Sequence, residues 1–357
     1  MYKLLKLLFI NLAVILILIV SIDIIFGYWF DKNNFGPNMR GKRVQKIVFN
    51  HDNKKTYYLR DFYGFREDGN INEKYDASKI KIVFTGGSTG EEMFLNYNET
   101  IVGQINLYLK YDGIDLKIYN ASLAGKSLKG HVNEFSYWFK KIPNFKPDII
   151  IYYFGINDRK ILENRWHDYE ADLNFFQNIM WNITQKSFFW EKIKRIKDKY
   201  FFSEENVSQY FTDDKDLLKK LSNNEFISYD YAEKNYDLKN EEEIKIIENF
   251  KLNLQNLKKQ LDIWNIKPIF ITQIKYDING DKILFFLNKE LIKFSINNNY
   301  KIVKLDELIK SPLNNSFVDD THTNKDGSEK IAKILYPHLK TEMLKYLNNN
   351  KIYQKLF

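Results

Sequence analysis

The sequence contains no cysteine, and only 6 of its 357 residues are proline. Without cysteine the chain has no disulfide, no thiolate nucleophile and no zinc–thiolate site. Its histidines and carboxylates also lack the spacing of a metal site, so we expect no bound metal. The net charge of +8 is spread along the chain instead of being clustered, which argues against nucleic acid as a partner.

A long apolar run, residues 7–30, stands out at the N-terminus. About 20 apolar residues span a bilayer, and no small-x-small cleavage site follows the run. We therefore predict an uncleaved transmembrane signal anchor over residues 1–30. The basic residues between 32 and 46 favour a cytoplasmic domain, but large domains translocate largely regardless of charge. We expect a single-pass membrane protein with an extracytoplasmic domain, and the oligomeric state stays open.

From residue 80 onward, short apolar runs alternate with amphipathic helical runs. Residues 149–154 are continuously apolar, as is typical of a central parallel strand. The alternation predicts an α/β fold over residues 79–348, with helices covering a central parallel sheet of about five strands. The strand candidates are Ile80–Phe84, Leu116–Tyr119, Asp148–Phe154, Ile269–Ile274 and Ile302–Leu305.

Other segments do not follow this alternation. Residues 31–78 are predicted to be a connector packed on the main domain, with a possible hairpin. Residues 160–240 are too long for an ordinary connection and predict a mostly helical insertion. Its aromatic residues form either a small core of their own or a wall facing lipid or sugar. A last helix over 326–347 should be kinked or split at Pro337, and 349–357 form a tail.

A glycine-rich turn follows the first strand candidate and reads Gly86-Gly87-Ser88-Thr89-Gly90. Such a turn leads from a strand into a helix and holds Ser88 at the carboxyl edge of the sheet. The free N–H groups of the helix N-terminus favour developing negative charge there. Taken alone, this stretch is either a simple turn or the site of a nucleophile.

Three further polar blocks are predicted at the same edge, because ligands bind beyond the carboxyl ends of parallel strands. His322 can take a proton from Ser88 near neutral pH, and Asp319 lies close enough to orient the imidazole. The N–H groups of Ser88 and Gly125, with the side-chain amide of Asn157, could stabilise an oxyanion. A nucleophile, a base, an orienting acid and oxyanion donors at one edge of the sheet together predict acyl transfer. The blocks are Asn120–Gly125, Gly155–Asp158 and Asp319–His322.

Two patterns compete with this interpretation. Residues 120–127 resemble a phosphate-binding loop, but the first position is Asn120 instead of glycine. Few aspartates also follow a strand candidate directly, where one would be needed to bind magnesium. His167-Asp168 could mimic a catalytic dyad, but no nucleophile accompanies it. We treat Asp158 and Asp320 as structural residues.

Together, the four blocks resemble the signature blocks of the SGNH (GDSL-type) hydrolases. The resemblance runs in order from residue 80 to residue 340. It implies a flavodoxin-like three-layer α/β/α fold and O-ester chemistry without a metal or cofactor. It also implies Ser88 as nucleophile with Asp319 and His322 as its partners, and Gly125 and Asn157 as oxyanion donors.

One departure from the family pattern concerns the residue before the nucleophile. The usual Gly-Asp-Ser is Gly86-Gly87-Ser88 here. This Gly-Gly-Ser-Thr version is similar to membrane-anchored bacterial members near surface-polysaccharide synthesis, some of which move acetyl groups onto sugars. The expected function is therefore a serine esterase acting on an ester of a cell-envelope glycan or lipid-linked glycan. An O-acetyltransferase and an inactive glycan-binding scaffold are the alternatives.

Overall fold

The computed structural model describes residues 2–30, 46–51, 54–67, 80–161, 168, 174–201, 227–311, 313 and 315–349. Within these residues a single mixed sheet of eight strands organises the chain. Its strands are β1 (Lys46–His51), β2 (Lys54–Arg60), β3 (Arg66–Glu67), β4 (Ile82–Gly86), β5 (Ile118–Asn120), β6 (Ile149–Tyr153), β7 (Lys267–Ile271) and β8 (Lys301–Val303).

The parallel part of the sheet contains the five strands that the sequence predicts. They lie in the order β5-β4-β6-β7-β8, and every neighbouring pair is parallel. All residues of β4 and β6 are buried, because helices cover both faces of these central strands. This burial explains why their sequences are continuous apolar runs instead of alternating ones.

The expected total of about five strands is wrong, because residues 46–67 add three more. β1 and β2 form an antiparallel hairpin, and β3 joins it to the parallel part by pairing Arg66 with Asn120. The hairpin alternates, with Phe49 and Tyr58 fully buried and Val48 exposed. The segment expected to be a connector therefore extends the sheet, and the sheet is mixed instead of purely parallel.

Helices pack on both faces of the sheet and enclose two apolar cores. One core contains Trp138, Phe250 and Leu257, and the other contains Ile101, Leu305 and Leu339. The helices of the main body are α2 (Ser88–Glu91), α3 (Ile101–Tyr111), α4 (Leu128–Tyr137), α7 (Tyr229–Asn235), α8 (Glu241–Trp264), α9 (Lys282–Asn297), α10 (Leu305–Leu308) and α11 (Lys325–Asn349).

Individual residues explain where α8 begins and ends and how α11 continues through a proline. Capping by Asn240 begins α8, and a left-handed Asn265 ends it. Of the two effects expected at Pro337, a kink or a split, the split does not occur, because α11 runs through the proline from Lys325 to Asn349. A proline costs one hydrogen bond, which the packing of Leu335, Leu339 and Met343 in the core offsets.

The remaining helices belong to the two segments outside the main body. The apolar N-terminal run is α1 (Tyr2–Phe26), which is long and apolar enough to cross a membrane. Within the described part of the predicted insertion lie α5 (Phe175–Lys186) and α6 (Phe188–Phe201). Helix α7 also falls within residues 160–240, but it packs on α9 of the main body through Tyr229 and Glu233. The tail beyond residue 349, and residues 162–167, 169–173 and 202–226 of the insertion, lie outside the described residues.

Candidate active site

The turn between β4 and α2 places Ser88 at the carboxyl edge of the sheet. Ser88 is the first residue of α2, so its N–H has no acceptor within the helix. The two preceding glycines are closely packed. A Cβ atom on Gly86 would lie 2.5 Å from the carbonyl oxygen of Tyr153, and one on Gly87 would lie 2.4 Å from Nδ2 of Asn157. Only glycine allows the neighbouring strand and the Asn157 amide to approach the turn this closely.

Ser88, His322 and Asp319 form a continuous hydrogen-bonded chain. Oγ of Ser88 lies 2.8 Å from Nε2 of His322, and Nδ1 of His322 lies 2.7 Å from Oδ2 of Asp319. The serine and the histidine are 234 positions apart in the sequence. The residues that the sequence predicts as a nucleophile, a base and an orienting acid are therefore brought together in that order.

Asp319 also organises the loop that carries His322. Its second oxygen, Oδ1, accepts the backbone N–H groups of Thr321 at 2.7 Å and of His322 at 2.6 Å. Partial burial opposes ionisation of Asp319, but these bonds and the His322 imidazole lower its pKa to about 2. Burial also opposes ionisation of His322, which by itself would lower its pKa. The hydrogen bond and the charge of Asp319 outweigh this effect and raise the pKa of His322.

Asn157 lies at the point where three of the sequence blocks meet. It belongs to a single 3₁₀ turn, Ile156–Asp158, that follows β6 after Gly155. Its amide Nδ2 lies against Gly87 and donates to the carbonyl oxygen of Lys126 at 3.0 Å. Gly125 precedes that carbonyl and has a φ of +77°, a conformation that favours glycine. All the predicted oxyanion donors therefore belong to loops that meet around the Gly87-Ser88 turn.

The comparisons with known proteins address the fold. No protein-family model matches the chain, and no curated protein sequence does. An acetyl xylan esterase, AlAXEase, is 14% identical with a TM-score of 0.38, covering 73% of this chain and all 100% of its own. A lipolytic protein of the G-D-S-L family from Veillonella parvula is 11% identical with a TM-score of 0.40, covering 73% and 99%. TesA is 10% identical with a TM-score of 0.41, covering 73% and 98%.

The loop that resembles a phosphate-binding loop is built differently from one. Lys126 is buried, and its ammonium group donates to Glu134 at 2.7 Å and to Thr85 at 2.9 Å. Ser127 donates its hydroxyl hydrogen to Asp168 at 2.6 Å. The lysine and the hydroxyl that would hold a nucleotide and its metal are thus directed into the protein, which disfavours nucleotide binding.

Asp158 and Asp320 lie beside the site but contact other partners. The carboxylate of Asp158 accepts the N–H of Leu128 at 2.9 Å, at the N-terminus of α4. Asp320 forms an ion pair with Lys275 at 3.0 Å. Neither of these contacts involves Ser88, His322 or Asp319. His167 lies outside the described residues, and its neighbour Asp168 binds Ser127.

A buried arginine that the sequence analysis did not identify supports the loop that contains Gly125. Arg60 from β2 is fully buried and donates to Glu91 and to the carbonyl oxygen of Ser122, both at 2.7 Å. The second oxygen of Glu91 accepts the N–H of Ala124, next to Gly125. The N-terminal hairpin thus holds the loop that follows β5. One signal could have revealed Arg60, because it shares strand parity with the inward-facing Tyr58.

A second buried arginine and its neighbouring carboxylate hold α2 in place. Arg66 donates to the carbonyl oxygens of Glu91, Glu92 and Leu95 at the C-terminal end of this helix. Glu92 has a left-handed backbone, and its buried carboxylate accepts from Ile101 at 2.7 Å and from Thr323 at 3.1 Å. Burial raises the pKa of Glu92 to about 7. The nucleophile helix is therefore tied directly to the residue next to His322.

Gln273 connects the nucleophile helix to the third block. Its side-chain oxygen accepts the N–H of Ile156 at 2.6 Å, and its amide nitrogen donates to Thr89. Its backbone is in turn held by Asn288, which accepts from the N–H of Gln273 at 3.1 Å. This side chain follows β7, so a fourth strand end supports the geometry of the site.

Proposed function

We propose that the protein is a serine-dependent ester hydrolase that acts through an acyl-Ser88 intermediate. The hydrogen-bonded chain from Ser88 through His322 to Asp319 carries this proposal. A hydroxyl 2.8 Å from an imidazole nitrogen is in place to lose its proton. The carboxylate on the far side of the ring fixes the tautomer in which Nε2 is the acceptor.

In the first half of the reaction, His322 takes the proton of Ser88 as Oγ attacks the ester carbonyl. The oxyanion that develops is stabilised by the N–H groups of Ser88 and Gly125 and by the Asn157 amide. His322 then returns the proton to the departing alcohol oxygen as the carbon–oxygen bond breaks. In the second half, His322 activates a water that attacks the acyl group, and Ser88 leaves with the proton.

The sheet order supports the placement of this site. Numbered along the chain, the five parallel strands lie in the order 2-1-3-4-5, and this order supports the flavodoxin-like arrangement that we propose. In such sheets the ligand crevice lies where the strand order reverses, beyond the carboxyl end of the first strand. Ser88 follows that strand, β4, and Asn157 follows its neighbour β6. We therefore propose residues 79–348 as the hydrolase-like domain, with 160–240 as its insertion.

The substrate and its location are proposed from two features. The length and apolarity of α1 support a single-pass anchor, and we propose that the domain it carries lies outside the cytoplasm. A membrane-anchored esterase outside the cytoplasm meets cell-envelope glycans, which we propose as the bearers of the ester.

O-acetyl transfer to a surface polysaccharide is the second candidate function. It is favoured by Gly87, which stands where the family pattern has aspartate. No side chain fits at this position while Asn157 keeps its place. Both reactions share the acyl-Ser88 intermediate and differ only in whether water or a sugar hydroxyl accepts the acyl group.

The test uses the full chain, purified in detergent, with a short-chain p-nitrophenyl ester. We expect release of p-nitrophenol and labelling by a fluorophosphonate, and we expect Ser88→Ala to abolish both. Ser136→Ala, which changes an exposed serine of α4, is the matched control and should retain both. Full turnover by Ser88→Ala would refute the proposal, and absent labelling of Ser88 would favour the glycan-binding scaffold. Adding glycan acceptors with an acetyl donor separates transfer from hydrolysis.

A further inference from the structure

The first helix of the insertion, α5, exposes a continuous apolar face. Residues 175, 176, 179, 180 and 183 follow the spacing of one helical face. Phe175 and Phe176 are 74% and 77% exposed, and Met180 is 53% exposed. The other face carries polar residues such as Asn178 and Asn182. In water this arrangement would be costly, because the aromatic side chains remain hydrated.

The second helix, α6, has a similar exposed face with a basic border. Trp190, Ile193 and Ile196 are 41%, 55% and 71% exposed. Lys192 and Lys197, both exposed, stand next to these apolar positions in the sequence. An amphipathic helix with an apolar face and a basic polar face is typical of segments that lie in the interface of an anionic membrane.

The junction of these two helices is bound to the end of α1. Asp23 accepts the hydroxyl hydrogen of Ser187 at 2.8 Å and the N–H of Phe189 at 3.1 Å through one oxygen. Its other oxygen accepts the indole N–H of Trp29 at 3.0 Å. The N–H of Tyr28 donates to the carbonyl oxygen of Lys186 at 2.7 Å. These bonds provide partners for both carboxylate oxygens of Asp23. They also hold the junction between α5 and α6 beside the last turns of α1.

We propose that α5 and α6 form a hairpin that lies in the membrane interface beside α1, with its apolar face immersed in lipid. Both exposed faces then remove aromatic and aliphatic area from water, and the basic border faces anionic headgroups. Phe26 of α1 contacts Phe188 of α6 with ring centroids 5.8 Å apart, so the apolar surface continues from the span into the hairpin. The immersion depth expected for such helices is about 5–10 Å.

The inference rests on the proposed membrane anchoring but not on ester hydrolysis. The absence of cysteine allows each site to carry a single spin label. Full-length variants Phe176→Cys, Met180→Cys and Asn178→Cys are labelled and reconstituted in vesicles of phosphatidylcholine and phosphatidylglycerol. Leu12→Cys in α1 reports on the anchor, and Tyr111→Cys, on a side chain 79% exposed at the end of α3, reports on water. Collision with oxygen, which prefers lipid, is compared with collision with a water-soluble nickel chelate.

We expect the ratio of oxygen to nickel collisions at 176 and 180 to exceed that at 178 and 111 several-fold, and to approach the ratio at 12. Water-like ratios at 176 and 180 with a lipid-like ratio at 12 would overturn the hairpin and keep the anchor. Immobilised labels shielded from both reagents would also overturn it, since protein would then cover the face. A water-like ratio at 12 would overturn anchoring and hairpin together, without bearing on hydrolysis.

Discussion

Replacing Asp319 by asparagine tests the orientation of the base with little change in shape. The amide oxygen can keep the bonds that Oδ1 makes to the N–H groups of Thr321 and His322, so the loop is expected to persist. The amide nitrogen would then take the place of Oδ2, which lies 2.7 Å from Nδ1 of His322. Because this nitrogen donates, the imidazole must accept at Nδ1 and carry its proton on Nε2. That proton would point at Ser88.

An imidazole in this tautomer cannot take the proton of Ser88. We therefore expect kcat to fall about 10⁴-fold, the loss typical when the orienting acid of such a triad becomes an amide. At about 1.4 kcal/mol per factor of ten, this corresponds to roughly 5 kcal/mol of transition-state stabilisation. The Michaelis constant should change little, because Asp319 contacts the base and its own loop.

The pH profile gives a second readout with a definite sign. The reaction needs neutral His322, so activity should rise with pH through a pKa that Asp319 holds above the usual 6.5. In Asp319→Asn the burial of the ring acts without that opposing charge, and the midpoint should move to lower pH. Stability should respond as well. The depressed pKa of Asp319, about 2, contributes stability above pH 3.8 that is lost as the pH falls through 2.

Asp320→Asn is the matched control for this variant. Asp320 is the adjacent carboxylate, but its side chain is 52% exposed and pairs with Lys275. It should lower kcat less than tenfold and shift the midpoint only slightly. The assay is the rate of ester hydrolysis by both variants across the pH range. An Asp319→Asn enzyme with a loss below tenfold and an unshifted profile would refute the orienting role.

Three further predictions concern the oxyanion site, the buried acid and the core. Asn157→Ala should lower kcat about 10²–10³-fold with a small change in KM, because one oxyanion donor is lost; an unchanged kcat would remove Asn157 from the site. Glu92 has a pKa raised to about 7, so its contribution to stability is present below pH 4.5 and lost as the pH rises through 7. Urea unfolding of Glu92→Gln should show a smaller decrease across that range than the parent does. Leu257→Ala in the core should cost about 2–5 kcal/mol of unfolding free energy. Leu252→Ala, on a side chain 60% exposed on the same helix, should cost little, and equal losses would contradict the packing argument.

The elements with strong periodicity could be predicted from the sequence. A helix predicted over 326–347 is found at Lys325–Asn349, and a strand predicted over Asp148–Phe154 is found at Ile149–Tyr153. Local pattern determines such elements, because one face or both faces of each must be buried. The meeting of Ser88 with His322 could also be predicted, since both follow strands or precede helices at one edge of the sheet.

What could not be predicted depends on contacts between distant segments. β3 contains only Arg66 and Glu67, too few residues for any pattern, and its pairing with Asn120 creates the mixed sheet. Buried arginines are rare, so the strand parity that Arg60 shares with Tyr58 is not enough to predict that it lies inside. It is buried because Glu91 and the carbonyl oxygen of Ser122 satisfy it, and these partners lie 31 and 62 positions away.

The contacts of Arg60 and Arg66 with later residues also determine the order in which the sheet can form during synthesis. The ribosome completes the β1–β2 hairpin well before residues 118–122, to which both arginines ultimately connect. Until those residues emerge, the hairpin and β3 have no neighbour in the sheet, and an isolated hairpin is only marginally stable. Residues 118–122 therefore complete the sheet and also begin the loop that lies beside Ser88. A nascent chain halted before residue 118 would present an unpaired edge strand, the kind of surface that recruits chaperones or aggregates.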